Sequence, residues 1–169
     1  PGQLAEEACH IEIEVLGEPI GKQDQYAAAF GGMNLFTFKP DDGVSVEHLA
    51  ADRKRPARAL FDSMLTLWTC HQRDTSAVLS EQSKNTAAKM TQLTAMRDQA
   101  FDIHRRFAEG KIDVPSCGEV LHAAWELKRG LASTITNDGI DGAYKAGRDA
   151  GAYGGKLCGA GAGGFLMFL

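Results

Sequence analysis

Two carboxylates stand where phosphoryl-transfer chemistry could use them. Glu12 lies in the first predicted helix, and Asp24 follows twelve residues later in Pro-Ile-Gly-Lys-Gln-Asp-Gln. Successive residues of Leu4 to Leu16, placed at the helical increment of about 100°, gather Leu4, Ala5, Ala8, Cys9, Ile11, Val15 and Leu16 on one arc. Glu6, Glu7, His10 and Glu14 fall opposite, and Glu12 falls inside the apolar arc. A carboxylate there requires a cation, an arginine or several donors. Asp24 precedes a short helical run, where an N-cap is the competing role. Together, joined by a short glycine- and proline-containing turn, the two acids fit metal-assisted phosphoryl transfer: one on the ion, one facing an acceptor hydroxyl.

The second chemical signal is the run Gly159, Ala160, Gly161, Ala162, Gly163, Gly164. Without side-chain bulk, its backbone amides can approach an anion or another loop closely. No Gly-Lys-Ser/Thr follows it, and it precedes a strand where a dinucleotide fingerprint would open a helix. A tight hairpin between two final strands is the alternative.

The elements that must hold these groups read as mixed α and β. The first helix stops at Gly17 with Pro19 beyond. A short helix over 25–30 closes at Gly31 and Gly32, and 33–38 reads as a strand. The stretch 39–58, with Pro40, Asp41, Asp42 and Pro56, reads as a linker. A strand is expected over 64–70 and a helix from Arg73 to Ser80. A long helix over 85–109 follows, with Met90, Leu93, Met96, Ala100, Ile103 and Phe107 as a core stripe and Gly110 as its stop. Ser116 and Glu119 form an expected capping box for a helix running to about Leu131. Asn137-Asp138-Gly139 turns into a last helix near 140–150, before the glycine run and an apolar terminal strand.

Composition narrows the partners. The chain has 169 residues, a formal charge of −4 and a pI near 5.7, with Lys and Arg scattered, so no nucleic-acid partner is expected. No apolar run approaches the roughly 18 residues of a membrane span, and the N-terminus lacks the pattern of a signal peptide, so a cytoplasmic protein is expected. Cys9, Cys70, Cys117 and Cys158 are dispersed and suggest neither a disulfide framework nor a zinc site. The chain enters a helix almost at once and closes on Gly-Gly-Phe-Leu-Met-Phe-Leu, so further sequence is expected upstream and a little downstream.

Ile11-Glu12, Gly17 through Tyr26, and Gly154-Gly155-Lys156-Leu157-Cys158 through Phe165 together resemble the C-terminal half of GHMP-superfamily small-molecule kinases, with the bacterial heptose 7-phosphate kinases the most similar subgroup. Leu121 to Lys128 is similar to a long helix of that subgroup, and Trp68 to Arg73 to a strand-Thr-Gly-x-x-Arg segment in which Cys70 replaces the glycine. The resemblance implies ATP and Mg²⁺ as cofactors, Glu12 as the magnesium ligand and Asp24 as the catalytic acid. It implies that Gly159, Gly161, Gly163 and Gly164 support the nucleotide phosphates. Asp24 followed by Gln25 favours a sugar or sugar phosphate as acceptor. The family's Pro-x-x-x-Gly-Leu-Gly-Ser-Ser-Ala phosphate loop has no counterpart here, so this chain alone is expected to be catalytically incomplete, its partner being the missing N-terminal half. Arg73 is left without an assigned role.

The expected architecture is therefore α+β. Residues 1–58 form the trailing part of the GHMP kinase N-terminal domain, and 59–169 a ferredoxin-like C-terminal domain. The expected function is that of an ATP-dependent heptose 7-phosphate kinase acting on the anomeric hydroxyl. A galactokinase-like or other monosaccharide kinase, and a non-catalytic binding or regulatory module, are the alternatives.

Overall fold

A computed structural model describes residues 1–49, 54–71 and 75–169. Arg73, and with it the expected start of a helix there, lies outside the described residues. The chain divides into two compact units, Pro1–Ala51 and Asp52–Leu169. The boundary expected at residue 58 falls inside a helix, Lys54–Asp62.

The first unit begins with α1 (Gly2–Cys9), which runs directly into a π-helical segment, His10–Val15. That transition changes the reading of the helix. A π turn bonds i to i+5, as Leu16 N does to Ile11 O at 3.0 Å, so each residue advances the helix less than an α turn would. The buried face is narrower than the apolar arc drawn for a uniform α-helix. Ala5 and Cys9 are buried, whereas Leu4, Ile11, Val15 and Leu16 are all more than half exposed. Glu12 is half-buried, with no arginine against it among the described residues.

Helix α2 (Gln23–Phe30) follows, and then strands β1 (Asn34–Phe38) and β2 (Val44–His48), paired antiparallel from Asn34↔His48 to Phe38↔Val44. The expected linker thus contains a strand. Val44-Ser45-Val46 alternates after the turn Pro40-Asp41-Asp42-Gly43, a hairpin signal outweighed by the proline and acids. Tyr26 is the centre of this unit's core, its ring 6.0 Å from Phe30, 6.1 Å from Phe36 and 5.9 Å from Phe38. Such aromatic pairs contribute roughly 0.5–1.5 kcal/mol each beyond area burial, enough to fix α2 on the hairpin.

The second unit contains α3 (Lys54–Asp62), β3 (Leu65–Trp68), α4 (Thr75–Asn85), a 3₁₀ turn over Ala87–Lys89 and α5 (Met90–Ala108). Helices α6 (Val114–Arg129) and α7 (Asp138–Asp149) and strands β4 (Gly155–Leu157) and β5 (Phe165–Phe168) complete it. The long helix expected from residue 85 is broken at the 3₁₀ turn. Its stripe packs inward only in part: Phe107 is buried and Leu93 and Met96 lie against the main core, whereas Met90 and Ala100 are exposed. Helix α6 starts earlier than expected. Asp113 is its cap and Ser116 the reciprocal partner, with Ser116 N donating to Asp113 Oδ1 at 2.8 Å. Ser116 thus sits at the far end of the box, and Pro115 occupies the first turn, where its missing N–H costs nothing.

The sheet order is β3-β5-β4, all antiparallel. A ferredoxin-like unit has four strands; three belong to this sheet among the described residues. Helices α6 and α7 cover the sheet through Trp125, Ile140 and Tyr144, which meet Leu157, Leu166 and Phe168 in one core. Trp125 is fully buried, so its truncation to alanine would cost about 3–5 kcal/mol. No helix among the described residues is long and apolar enough to cross a membrane.

Candidate active site

In the first unit, Gln25 connects the two acids. It is the only buried polar residue of the core among the described residues, and its Nε2 donates to Glu12 Oε2 at 2.7 Å. The partner that the position of Glu12 demanded is therefore an amide, thirteen residues on, in the first turn of α2. The reading from sequence missed this residue's role. The signal was available: Gln25 and Ala29, like Tyr26 and Phe30, are four apart on the inward side of α2, and Gln25 is the polar member.

Asp24 is not a helix cap. Lys22 holds the N-cap position, with no side-chain cap bond, and Asp24 lies inside the first turn. There the helix dipole favours its negative charge. Its side chain is exposed and makes no hydrogen bond or ion pair among the described residues, so it is available to a ligand.

Beside these residues runs an open cleft of about 560 Å³ between the first helix and the turn before α2, lined by Glu6, Cys9, His10, Glu14, Lys22 and Tyr26 among others. Lys22 Nζ meets Asp42 Oδ1 at 3.2 Å, tying that turn to the β1–β2 hairpin. The Asp42 hydrogen bond raises the Lys22 ammonium above its usual range. Burial pushes the Tyr26 phenol and the Cys9 thiol up, with neighbouring Glu6 adding to both. Neither Glu12 nor Asp24 lines this cleft.

Magnesium is the ion implied for Glu12. No group of three or more His, Cys, Asp or Glu able to hold a metal exists among the described residues. The donor set therefore does not form a protein-only cage. It does fit an ion shared with nucleotide phosphates, which takes only one or two carboxylates from protein: Glu12 has one carboxylate oxygen committed to Gln25 and the other uncommitted.

In the second unit, the glycine run is the connection of an antiparallel hairpin between β4 and β5. Its glycines serve contacts inside the chain. A Cβ on Gly161 would stand 2.9 Å from Ile135 Cα, and one on Gly163 would stand 2.6 Å from the carbonyl oxygen of His71. Ala162 N donates to Ile135 O at 2.6 Å and Gly164 N to His71 O at 3.3 Å. Gly164 O accepts from Thr69 N at 2.9 Å and Thr69 Oγ1 at 2.8 Å, and Lys128 Nζ donates to Gly159 O. The loop is held on three sides in one shape. Cys70 sits in the adjoining turn at φ +59°, the left-handed conformation that a glycine adopts freely.

Residues 110–169 match the family described as GHMP kinases C terminal, a stretch that takes in α6, α7, β4, the glycine loop and β5. Residues 110–169 thus carry the C-terminal domain of the GHMP kinases. Over 168 residues it is 32% identical to the D-glycero-alpha-D-manno-heptose 7-phosphate kinase of Campylobacter jejuni, covering 99% of this chain and 49% of that protein. A solved D-glycero-D-manno-heptose 1-phosphate kinase from Bacteroides thetaiotaomicron is similar with a TM-score of 0.65 and 28% identity, over 98% of this chain and 43% of the other. A putative sugar kinase from Campylobacter jejuni gives a TM-score of 0.59 and 29% identity, over 98% and 46%. The mevalonate kinase of L. major, at 21% identity and a TM-score of 0.64 over 88% and 43%, shares the fold. The GHMP domain and the segment before it thus span about half the length of these relatives. Glu12, Gln25 and Asp24 lie outside the family-matched stretch, in the part covered by the pairwise likenesses.

Proposed function

We propose that this chain is the C-terminal half of an ATP-dependent sugar kinase that transfers the γ-phosphate to the anomeric hydroxyl of a heptose 7-phosphate in the cytoplasm. The observation that supports it best is Gln25 seating Glu12 while Asp24, the residue before it, presents a carboxylate without a partner among the described residues. These three residues stand in a chain similar along almost its whole length to a heptose phosphate kinase.

In this mechanism Asp24 accepts the hydrogen bond of the sugar hydroxyl, orients its oxygen toward the γ-phosphorus and takes the proton as the new O–P bond forms, while the bond from the γ-phosphorus to the β–γ bridging oxygen breaks and ADP leaves. Glu12 would hold Mg²⁺, and the ion would supply neutralisation of developing charge. The glycine loop, fixed by Ile135, His71, Thr69 and Lys128, acts as a rigid support for the phosphate region. A ferredoxin-like completion of the second unit belongs to the same reading.

The relatives differ in the phosphate they are named for, one a heptose 7-phosphate kinase and one a heptose 1-phosphate kinase. The test is ADP release by the full-length protein with MgATP and, in turn, heptose 7-phosphate, heptose 1-phosphate and galactose, with ³¹P NMR locating the new phosphate. Turnover on heptose 7-phosphate with an anomeric phosphate product is expected. Preference for galactose would move the protein to a monosaccharide kinase, and no turnover on any sugar would favour a non-catalytic module.

A further inference from the structure

Gln25 is an unusual choice for a core position. Only 7% of it is exposed, and while Nε2 donates to Glu12, Oε1 is buried with no hydrogen-bond partner. An unpaired buried acceptor carries its full desolvation cost, whereas an apolar side chain of the same shape would carry none. Methionine would fill the same space beside Ala29 and Tyr26. Glu12, being half-buried, could recover its lost bond from water. On packing and hydrogen bonding alone the amide is thus no better than an apolar residue, and its gain must lie in what the donor end does.

We propose that Gln25 is a positioning residue: by binding Glu12 Oε2 it fixes the carboxylate in one rotamer and turns the remaining oxygen toward the cation. This rests on the kinase reading, in which Glu12 holds the ion. Three features support it. A glutamate side chain has three rotatable bonds, and a half-buried one without a partner samples several rotamers; a charge-assisted bond of 2.7 Å selects one. The bond also joins two elements, so the carboxylate is set relative to the first turn of α2 and therefore to Asp24. Glu12, finally, lies in a π-helical segment, and such segments are frequent at functional sites.

Gln25→Met separates this role from a structural one. In this chain, the expected thermal midpoint is unchanged or higher, because the orphaned acceptor is gone, while ¹³C relaxation at Glu12 Cγ shows the side chain passing from ordered to mobile. In the full-length protein the magnesium concentration for half-maximal rate rises roughly tenfold or more, the range for losing a group that orients a metal ligand, with little change in the KM for sugar. A midpoint that falls by many degrees, or a Glu12 equally ordered in both forms, overturns the proposal, and so does an unchanged magnesium requirement. If the wild-type full-length protein phosphorylates no sugar, the kinase reading fails, and the relaxation result judges the Gln25–Glu12 coupling by itself.

Discussion

Gln25 Nε2 and Glu12 Oε2 are 2.7 Å apart, joining the π-helical end of the first helix to the first turn of α2. The bond leaves the other oxygen of Glu12 uncommitted among the described residues, and Asp24, the preceding residue of α2, is exposed in the same turn.

Glu12→Gln in the full-length protein should weaken catalysis and shift its magnesium dependence to higher concentration, since the amide keeps the shape and loses the charge that meets the ion. Titration of the initial rate with MgCl₂ is the check. A variant with altered thermal stability and an unchanged magnesium titration would make Glu12 a structural acid.

How far this was legible from the sequence differs between the two units. The two acids and the glycine run stand out as residue types in unusual places. The periodicities of α6, α7 and β5 were plain, because their apolar residues meet in one core, and β3 alternated well enough to be read although all four of its residues are exposed. The face of the first helix was not: nothing in His10–Val15 announces i to i+5 bonding, and of the apolar arc Ala5 and Cys9 are buried while Leu4, Ile11, Val15 and Leu16 are exposed. Strand β2 was hidden by Pro40 and the paired acids, and the role of Gln25 by attention to charged residues alone. The glycines of the loop read equally well as an anion cradle or a close-packed hairpin; only the positions of Ile135 and His71, far away in sequence, show what a Cβ would strike.

Gly161→Ala should destabilise this chain by about 2–4 kcal/mol, combining a side chain at φ +134° with a Cβ against the backbone of Ile135. Thermal unfolding is the check; a midpoint equal to wild type would mean the loop can move away from Ile135 at no cost.

At Cys70, relief of a non-glycine residue at φ +59° competes with the greater chain entropy lost by glycine. The first is worth about 1–2 kcal/mol and the second roughly 0.5–1, so Cys70→Gly should stabilise by roughly 0.5–1 kcal/mol. Chemical denaturation resolves such a difference, and a loss of stability would show that the thiol makes a compensating contact.

Glu81 accepts from Ser133 N and Oγ at 2.9 Å and Thr134 Oγ1 at 2.7 Å, bonds that hold its carboxyl below the usual range, with the Thr134 hydroxyl the largest cause. A depressed folded pKa stabilises above the unfolded value of 4.5, and this contribution is lost as pH falls through the folded value. Glu81→Gln should therefore lower the unfolding midpoint at neutral pH and approach wild type in strong acid. A difference independent of pH would remove the charge from the explanation.

The central claim is that Asp24 acts on the acceptor hydroxyl. Its most direct test is kcat of the full-length Asp24→Asn variant with saturating MgATP and heptose 7-phosphate. Asn preserves the size of the side chain in the first turn of α2, so folding and nucleotide affinity should be those of wild type. We expect kcat to fall by roughly two to four orders of magnitude, the range for removing a general base. A correctly folded variant with near-normal kcat would contradict the account and leave Asp24 without a part in the chemistry.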